Sequence, residues 1–181
     1  TMIKCCNEFT AVSQGYMTEL FEEAQGLQDL IKQEHQKAHG IINGIDTEVW
    51  DPQTDKMLFE NYNIKTANKG KKANKEFLCN EFHLNPDLPL YAFIGRFAGE
   101  KGADMLPDIV RRSITETQGA LNILILGSGN PQIENTLKQL REEFYVNFAM
   151  DLGYKEDLSH KIYAGADFLL MPSRVEPCGL N

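Results

Sequence analysis

From residue 70 onward the chain repeats one pattern, a short apolar stretch followed by a segment with helical spacing. The apolar stretches occupy residues 90–94, 121–126, 145–149 and 168–171. Strands that are apolar along their whole length need cover on both faces, and their alternation with helices is typical of a parallel sheet. The pattern therefore predicts a doubly wound, Rossmann-like α/β domain.

Helix signals fill the intervals between these strands. Predicted helices span residues 71–83, 103–117 and 157–164. A further helix is predicted to start at Asn130, a good N-cap residue. Pro131 follows it, and the missing N–H of proline costs nothing at the first helical position.

The first seventy residues give a less regular pattern. We predict a strand within residues 3–12, a helix from the N-cap Ser13 to about residue 24, a second helical stretch after it, and a short strand that runs into an Asn-Gly turn within residues 39–46. Residues 47–70 are polar and are interpreted as a surface connection or an interdomain linker rather than as part of a core.

Charge and composition disfavour several classes of function. The net charge is −8, so we expect no partner among nucleic acids or anionic membranes. No apolar run approaches the roughly 18–20 residues that span a bilayer, and we expect neither a membrane span nor a leader peptide. The cysteines have no C-x-x-C spacing, which predicts reduced thiols and a cytoplasmic location. They are Cys5, Cys6, Cys79 and Cys178.

Two cations flank the segment after the first strand of the predicted sheet. Ligands of such a sheet bind outside the carboxyl ends of its strands. Arg96 and Lys101 stand there on either side of a small-residue turn, where the next helix is predicted to begin. Cationic side chains and unpaired helix-start amides suit a diphosphate. The alternative is that both cations pair with surface acids such as Glu100.

A glycine-rich segment after the second strand gives a weaker signal. The sequence Gly127-Ser128-Gly129 lacks the full G-x-G-x-x-G pattern, and no acidic residue ends the following strand. An ordinary strand-to-helix turn explains it nearly as well. Both observations count against a nicotinamide-dependent oxidoreductase.

Two further segments at this edge carry candidate ligand contacts. Glu176 lies in a loop that could lead into a helix, so it could accept sugar hydroxyls while the amides of Gly179 and Leu180 meet an anion. Tyr154 follows a glycine after another strand. It could stack on a base, or it could be a half-buried packing residue.

Five motifs, in chain order, resemble those of bacterial glycogen synthases and plant starch synthases. They are H-G-I-I-N-G-I-D at residues 39–46, W-D-P at 50–52, the segment from G-R to K-G at 95–102, S-H-K-I-Y-A-G-A-D at 159–167 and M-P-S-R-V-E-P-C-G-L at 171–180. N-G-I-D with W-D-P, and the last motif, are the specific ones. The resemblance covers most of the chain.

The resemblance implies a retaining glucosyltransferase of the GT-B type, with two facing Rossmann-like domains and the donor bound mainly by the C-terminal one. Residues 1–39 would be the tail of the N-terminal domain and residues 40–69 the interdomain crossing and linker. Residues 70–181 would be the nucleotide-sugar-binding domain, truncated at its C-terminal end. We expect the chain to be a piece of a longer enzyme.

The same resemblance implies roles for single residues. Arg96 and Lys101 would hold the donor diphosphate, and Glu176 would hold the donor glucose; these three are the predicted catalytic residues. Tyr154 would lie against the nucleotide base. The remaining donor contacts would come from the glycine-rich segment and from main-chain amides of the last motif, namely Gly127, Ser128, Cys178, Gly179 and Leu180.

The implied reaction moves glucose from ADP-glucose or UDP-glucose to the 4-hydroxyl of an α-1,4-glucan with retention of configuration. The diphosphate gains negative charge as it leaves, so Arg96, Lys101 and helix-start amides would stabilise it. Glycosidases use two carboxylates, whereas only Glu176 stands near the predicted site, and we assign no nucleophile. The sequence has no D-x-D motif, and we predict no metal and no cofactor.

The chain also departs from the family pattern. Glu100 stands where these enzymes commonly have glutamine, and Gly95 stands where they have serine. Their second glutamate and their N-terminal domain, with most of the acceptor site, would lie outside the chain. We therefore predict that the chain alone has no synthase activity.

Other interpretations stay open from the sequence. Another two-domain glycosyltransferase, such as a sucrose or lipopolysaccharide enzyme, is disfavoured by the N-G-I-D and W-D-P pair. A non-catalytic module that binds a nucleotide or glucan is disfavoured by the retained cations and Glu176. The base of the donor is undetermined. Trp50 is interpreted as an interdomain packing residue, and His160 as a structural, hydrogen-bonded histidine.

Overall fold

The computed structural model describes residues 2–181. These residues form two compact units. One unit is Thr47–Arg174, and the other combines residues 2–46 with Val175–Asn181. The domain boundaries proposed from the sequence at residues 39 and 69 stay predictions.

The smaller unit is built around a two-stranded parallel sheet. Its helices are α1 (Met2–Cys5), α2 (Gln14–Glu22) and α3 (Gln28–Gln33), and its strands are β1 (Phe9–Ala11) and β2 (Ala38–Gly40), with a 3-10 turn at His35–Lys37. Phe9 of β1 lies opposite Ala38 of β2. Ala11, Met17 and Ile31 form a small buried core that joins the sheet to α2 and α3.

The structure confirms the predicted cap of α2 and corrects the two strands of this unit. The Ser13 hydroxyl accepts a hydrogen bond from the Tyr16 amide at 2.9 Å. The strand predicted within residues 3–12 is wrong in its first half, where the Cys6 amide donates to Met2 in a helical turn. The predicted strand in 39–46 ends at Gly40, and Ile41 and Ile42 beyond it are 60% and 71% exposed.

The larger unit alternates helices and strands. In chain order it contains α4 (Ala67–Glu81), β3 (Leu90–Phe97), α5 (Leu106–Glu116), β4 (Asn122–Gly129), α6 (Pro131–Glu143), β5 (Phe148–Leu152), α7 (Glu156–Gly165) and β6 (Phe168–Leu169). Two 3-10 turns, Gly99–Lys101 and Ala103–Met105, join β3 to α5. Asn130 caps α6 by accepting a hydrogen bond from the Gln132 amide at 2.9 Å, which confirms the prediction.

The four strands of this unit form one parallel sheet in the order β5-β4-β3-β6. The chain moves outward from β3 through β4 to β5 and then returns to the other side of β3. This reversal defines a doubly wound sheet, and the topological switch point lies between β3 and β6. The predicted α/β fold is confirmed.

Both faces of the sheet are covered, as its apolar strands require. Successive side chains of a strand point to opposite faces. Ile123 and Ile125 of β4 pack with the core under α5 and α6, whereas Leu124 and Leu126 pack with the core under α4 and α7. Each such side chain contributes about 1.5–3 kcal/mol of burial free energy, so β4 stabilises both layers.

All four strands of this sheet differ from their predicted bounds. The sheet pairing of β3 and β4 continues past residues 94 and 126, because Gly95 pairs with Gly127 at very close approach. A Cβ on Gly127 would lie 2.0 Å from the Gly95 carbonyl oxygen. The strand predicted at 145–149 begins at Phe148, since the Asn147 side chain donates to Gly119 and Leu121 and ends the turn before it. β6 ends at Leu169, two residues earlier than predicted.

The polar segment before α4 is attached to α7 by a buried side-chain cluster. Nδ1 of His160 lies 2.6 Å from Oδ2 of Asp55, and both side chains are buried, at 1% and 7% exposure. Trp50 stacks on His160 at 3.6 Å and meets Tyr163 edge-on. His160 is therefore structural, as predicted. These ring contacts of Trp50 lie within this unit, and its interpretation as an interdomain packing residue stays a prediction.

The sequence leads us to expect no membrane span and no disulfide, and the structure describes residues 2–181 in both respects. No helix in this range is long and apolar enough to cross a membrane. Its four cysteines are free thiols. Burial raises the pKa of the Cys79 thiol from 9.0 to about 11, because this side chain lies in the core under α4.

Candidate functional site

The carboxyl ends of the four parallel strands bring several predicted site residues to one edge of the sheet. Arg96 is the seventh residue of β3 and lies opposite Ser128 of β4. Lys101 follows in the 3-10 turn, and Tyr154 follows β5. A doubly wound sheet binds its ligands at this edge, beside the switch point. The candidate site therefore centres on the loop between β3 and α5.

Arg96 has a carboxylate partner four residues later. Its Nη2 lies 2.8 Å from Oε1 of Glu100, and the two side chains are 75% and 44% exposed. This is the pairing that the sequence offered as an alternative to diphosphate binding. An exposed pair of this kind contributes only about 0–1 kcal/mol. A diphosphate with two or more negative charges can therefore displace Glu100 from Arg96.

The loop between β3 and α5 has one closed side and one open side. Gly102 is buried in the left-handed conformation (φ 64°), and a Cβ there would lie 2.1 Å from the Pro172 carbonyl oxygen. Only glycine fits that position without displacing the backbone. At Gly99, by contrast, no atom lies within 4 Å of the position of a Cβ. The open side at Gly99 is where a ligand can approach the backbone.

Arg174 is the second arginine at this loop. Its Nη1 and Nη2 lie 2.5 Å and 2.8 Å from the two carboxylate oxygens of Asp104. Nη1 also donates to the Gly99 carbonyl at 2.9 Å, and the Arg174 amide donates to the Glu100 carbonyl at 2.9 Å. Hydrogen bonding from Arg174 lowers the pKa of the Asp104 carboxyl below its ordinary value. The segment after β6 is therefore joined, across the switch point, to the loop after β3.

The glycine-rich segment is part of β4 rather than a free loop. Gly127 is buried between strands, and Ser128 is exposed at the edge. The Gly129 amide donates to Oε1 of Glu134 at 2.9 Å. Because a carboxylate already accepts this amide at the start of α6, the segment is less suited to an anion than the loop after β3. This arrangement agrees with the weak signal for phosphate binding in the sequence of this segment.

Tyr154 lies at the far end of the same edge. It follows Gly153 (φ 118°), whose amide donates to the Gly127 carbonyl at 3.1 Å. The Tyr154 side chain is 86% exposed, so it is not a half-buried packing residue. β5 and β3 are two strand spacings apart, about 10 Å, which is the scale of a nucleotide. Stacking of Tyr154 on a base stays a prediction.

Residues 175–181, which include the second half of the last motif, belong to the smaller unit. The Ser13 hydroxyl donates to the Pro177 carbonyl at 2.6 Å, so this motif is held beside the start of α2. Glu176 and Cys178 are half-buried, Gly179 is left-handed (φ 69°), and Leu180 is 52% exposed. The predicted joint action of Glu176 with the cations of the larger unit stays a prediction.

The structure identifies a side-chain contact that the sequence analysis missed. Arg174 and Asp104 had no assigned role, although Arg174 is a cation in the segment that follows the last strand of the sheet. Their seventy-residue separation hid the pairing. Among residues 2–181, no three or more histidine, cysteine, aspartate or glutamate side chains are grouped as metal ligands.

A parallel sheet with this strand order and two cations beside its switch point is typical of α/β domains that bind nucleotides. Residues 89–181, just over half of the chain, match the family model of the group 1 glycosyl transferases. The chain belongs to this family.

Curated relatives in the family are similar along nearly the whole chain. A glycogen synthase of Flavobacterium johnsoniae is 49% identical over 179 residues, which is 99% of this chain and 38% of the relative. Starch synthase 2 of Arabidopsis thaliana is 36% identical over 187 residues, 99% of this chain and 23% of the relative. The chain thus spans less than two fifths of the length of these relatives.

A solved structure is similar in fold. The catalytic domain of starch synthase IV from Arabidopsis thaliana, bound to ADP and acarbose, has a TM-score of 0.89 and 33% identity. The similarity covers 98% of this chain and 37% of that one. It supports the Rossmann-like architecture expected for a GT-B catalytic domain.

Proposed function

We propose that this chain is the donor-binding part of a glycogen or starch synthase, which transfers glucose from a nucleoside diphosphate glucose to an α-1,4-glucan with retention and releases the nucleoside diphosphate. The observation that carries the proposal is the loop between β3 and α5, which presents Arg96 and Lys101 at the switch point of the sheet. The 49% identity to a glycogen synthase supports this choice within the family.

Leaving-group stabilisation is the chemistry that this loop is suited to. Negative charge grows on the diphosphate as the bond to the anomeric carbon breaks, and cations aimed at that charge lower the barrier. Arg96 would contribute a planar, bidentate donor and Lys101 a point charge. Glu176 would hold the donor glucose through its hydroxyls.

ADP-glucose is the donor that we propose first, with UDP-glucose as the alternative. The similar starch synthase IV was solved with ADP and acarbose. We propose further that donor binding needs no metal and no cofactor, that the parent enzyme is cytoplasmic and that this chain alone transfers no glucose, because most acceptor contacts would lie in the rest of the enzyme.

A calorimetric titration with ADP and then UDP tests the proposed donor site. We expect one nucleotide to bind, and Arg96→Ala to weaken that binding by roughly tenfold or more, since a charge-assisted contact to phosphate is lost. The matched control is Arg112→Ala, which removes an exposed arginine that pairs with Glu116 at 3.1 Å on α5. This control should bind the nucleotide as tightly as the unaltered chain.

The outcomes separate the interpretations. A loss confined to Arg96→Ala supports a donor diphosphate at this loop. Equal loss in both variants would indicate non-specific attraction of an anion. No binding of either nucleotide to a folded chain would contradict the proposed donor site.

A further inference from the structure

We propose that Arg174 is a positioning residue, which holds the diphosphate loop in its binding conformation through its ion pair with Asp104. The inference rests on the proposed function, because it assigns a task to a residue behind the proposed donor loop. The diphosphate loop is here residues 96–102. Arg174 acts on it from outside, through main-chain carbonyls and through Asp104.

The contacts of Arg174 surround the turn between the two proposed phosphate-binding cations. Its guanidinium reaches the Gly99 carbonyl and both oxygens of Asp104, and its amide reaches the Glu100 carbonyl. Gly99 and Glu100 lie between Arg96 and Lys101 in the sequence. The pairing therefore fixes the backbone from which Lys101 extends.

The bidentate geometry is the feature that makes this pair able to position a loop. Two parallel N–H···O bonds specify the orientation of both groups, which a single contact between flexible chains does not. Both side chains are about half exposed, at 50% and 51%, so the pair adds little to global stability. Its effect should fall on the order of the loop, and a loop held in its bound conformation binds with a smaller entropy cost.

The close contact of Gly102 with Pro172 supports the same task. The backbone of buried Gly102 contacts the Pro172 carbonyl, and Pro172 is two residues before Arg174. The segment 172–174 thus supports one side of the loop, while the side at Gly99 stays open. The proposed ligand would approach from the open side of this turn, where a Cβ of Gly99 would meet no atom.

A rival role is that Arg174 itself binds the diphosphate. The two roles predict opposite effects of removing the Asp104 charge. Asp104→Asn would free the guanidinium, so a direct phosphate contact would become stronger. If Arg174 only positions the loop, the same variant loosens the loop and weakens nucleotide binding.

The test measures ADP and UDP affinity by calorimetry in Arg174→Ala, Asp104→Asn and the double variant. We expect each single variant to bind the preferred nucleotide roughly tenfold more weakly, and the double variant to lose no more than either, because all three remove one interaction. Asp108→Asn is the matched control, since Asp108 is an exposed aspartate of α5 that pairs with Arg112 at 3.7 Å. It should leave affinity unchanged.

Amide hydrogen exchange of residues 98–103 gives a readout that does not depend on nucleotide. Exchange should accelerate in Arg174→Ala and in Asp104→Asn, while the melting temperature changes little. A purely structural role would lower the melting temperature and leave the affinity of the folded protein intact.

The possible results distinguish the inference from the proposed function. Unchanged or tighter binding in Asp104→Asn would overturn the positioning role while leaving the donor site in place. Unaltered exchange in both single variants would overturn it as well. An unaltered chain that binds neither nucleotide would contradict the proposed function, and exchange would still decide whether Arg174 orders the loop.

Discussion

At the residue scale, Glu100 is the side chain that most directly opposes a diphosphate at Arg96. Its carboxylate accepts a hydrogen bond from Nη2 of Arg96 at 2.8 Å. A bound diphosphate must replace this contact and then lie near the same carboxylate. Glutamine, which the resembling enzymes commonly carry at this position, would remove the charge and retain the length of the side chain.

We predict that Glu100→Gln tightens nucleotide binding by roughly 1.4- to fivefold, the range that corresponds to an exposed ion pair of about 0.2–1 kcal/mol. Calorimetry with ADP or UDP measures the change. Glu116→Gln is the matched control, because Glu116 pairs with Arg112 four residues earlier in a similarly exposed contact. Weaker binding in Glu100→Gln would show that Glu100 helps to orient Arg96.

At the element scale, the segment between β2 and α4 is ordered without a helix or strand from residue 47 to 66. Side-chain hydrogen bonds take the place of a backbone ladder. The Asn74 side chain accepts from the amides of Phe59 and Glu60 and donates to the Glu60 carbonyl. Asn61 donates to the carbonyls of Pro52 and Asp55. The polar composition that suggested a linker is what ties this segment to the larger unit.

The contact of Asp55 with His160 should be the strongest attachment of that segment to α7. We predict that His160→Ala lowers the free energy of unfolding by about 2–4 kcal/mol, because it leaves the buried Asp55 carboxylate without this partner and removes the ring on which Trp50 stacks. Urea denaturation measures the change. His35→Ala, at an exposed position, should stay within about 0.5 kcal/mol.

A double-mutant cycle identifies the interaction itself. His160→Ala and Asp55→Ala should be strongly non-additive, because the two side chains form one buried hydrogen bond. Additive losses would show that packing around Trp50, rather than this bond, holds the segment.

At the scale of the whole molecule, an acidic chain with net charge −8 must bind an anionic donor through local cations. We predict that EDTA leaves ADP affinity unchanged and that Mg²⁺ or Mn²⁺ does not raise it, because Arg96 and Lys101 supply the positive charge that a metal would otherwise provide. Calorimetry with and without chelator measures this. Stimulation by either metal would contradict it.

The order of elements in the larger unit and the caps of α2 and α6 could be predicted because both depend on local chemistry. A continuously apolar run such as residues 121–126 needs burial on both faces, whatever surrounds it. Asn130 followed by Pro131 satisfies the first amides of α6 from within the same segment. The cations at the carboxyl edge followed from the same pattern, since parallel strands bring their carboxyl ends together.

Two kinds of feature could not be predicted from the sequence. One is where β3 and β4 end, and the other is the pairing of side chains distant in the chain, Arg174 with Asp104 and His160 with Asp55. Glycines usually indicate turns, yet Gly95 and Gly127 continue the sheet because two backbones approach where no Cβ intervenes. The two side-chain pairs join residues separated by 70 and 105 positions. Sequence by itself determined the fold class, the order of elements in the larger unit and the edge of the sheet to which the candidate cations are brought, because periodicity and capping are local. Tertiary structure decided which charges meet, because distant segments become neighbours only when the sheet assembles.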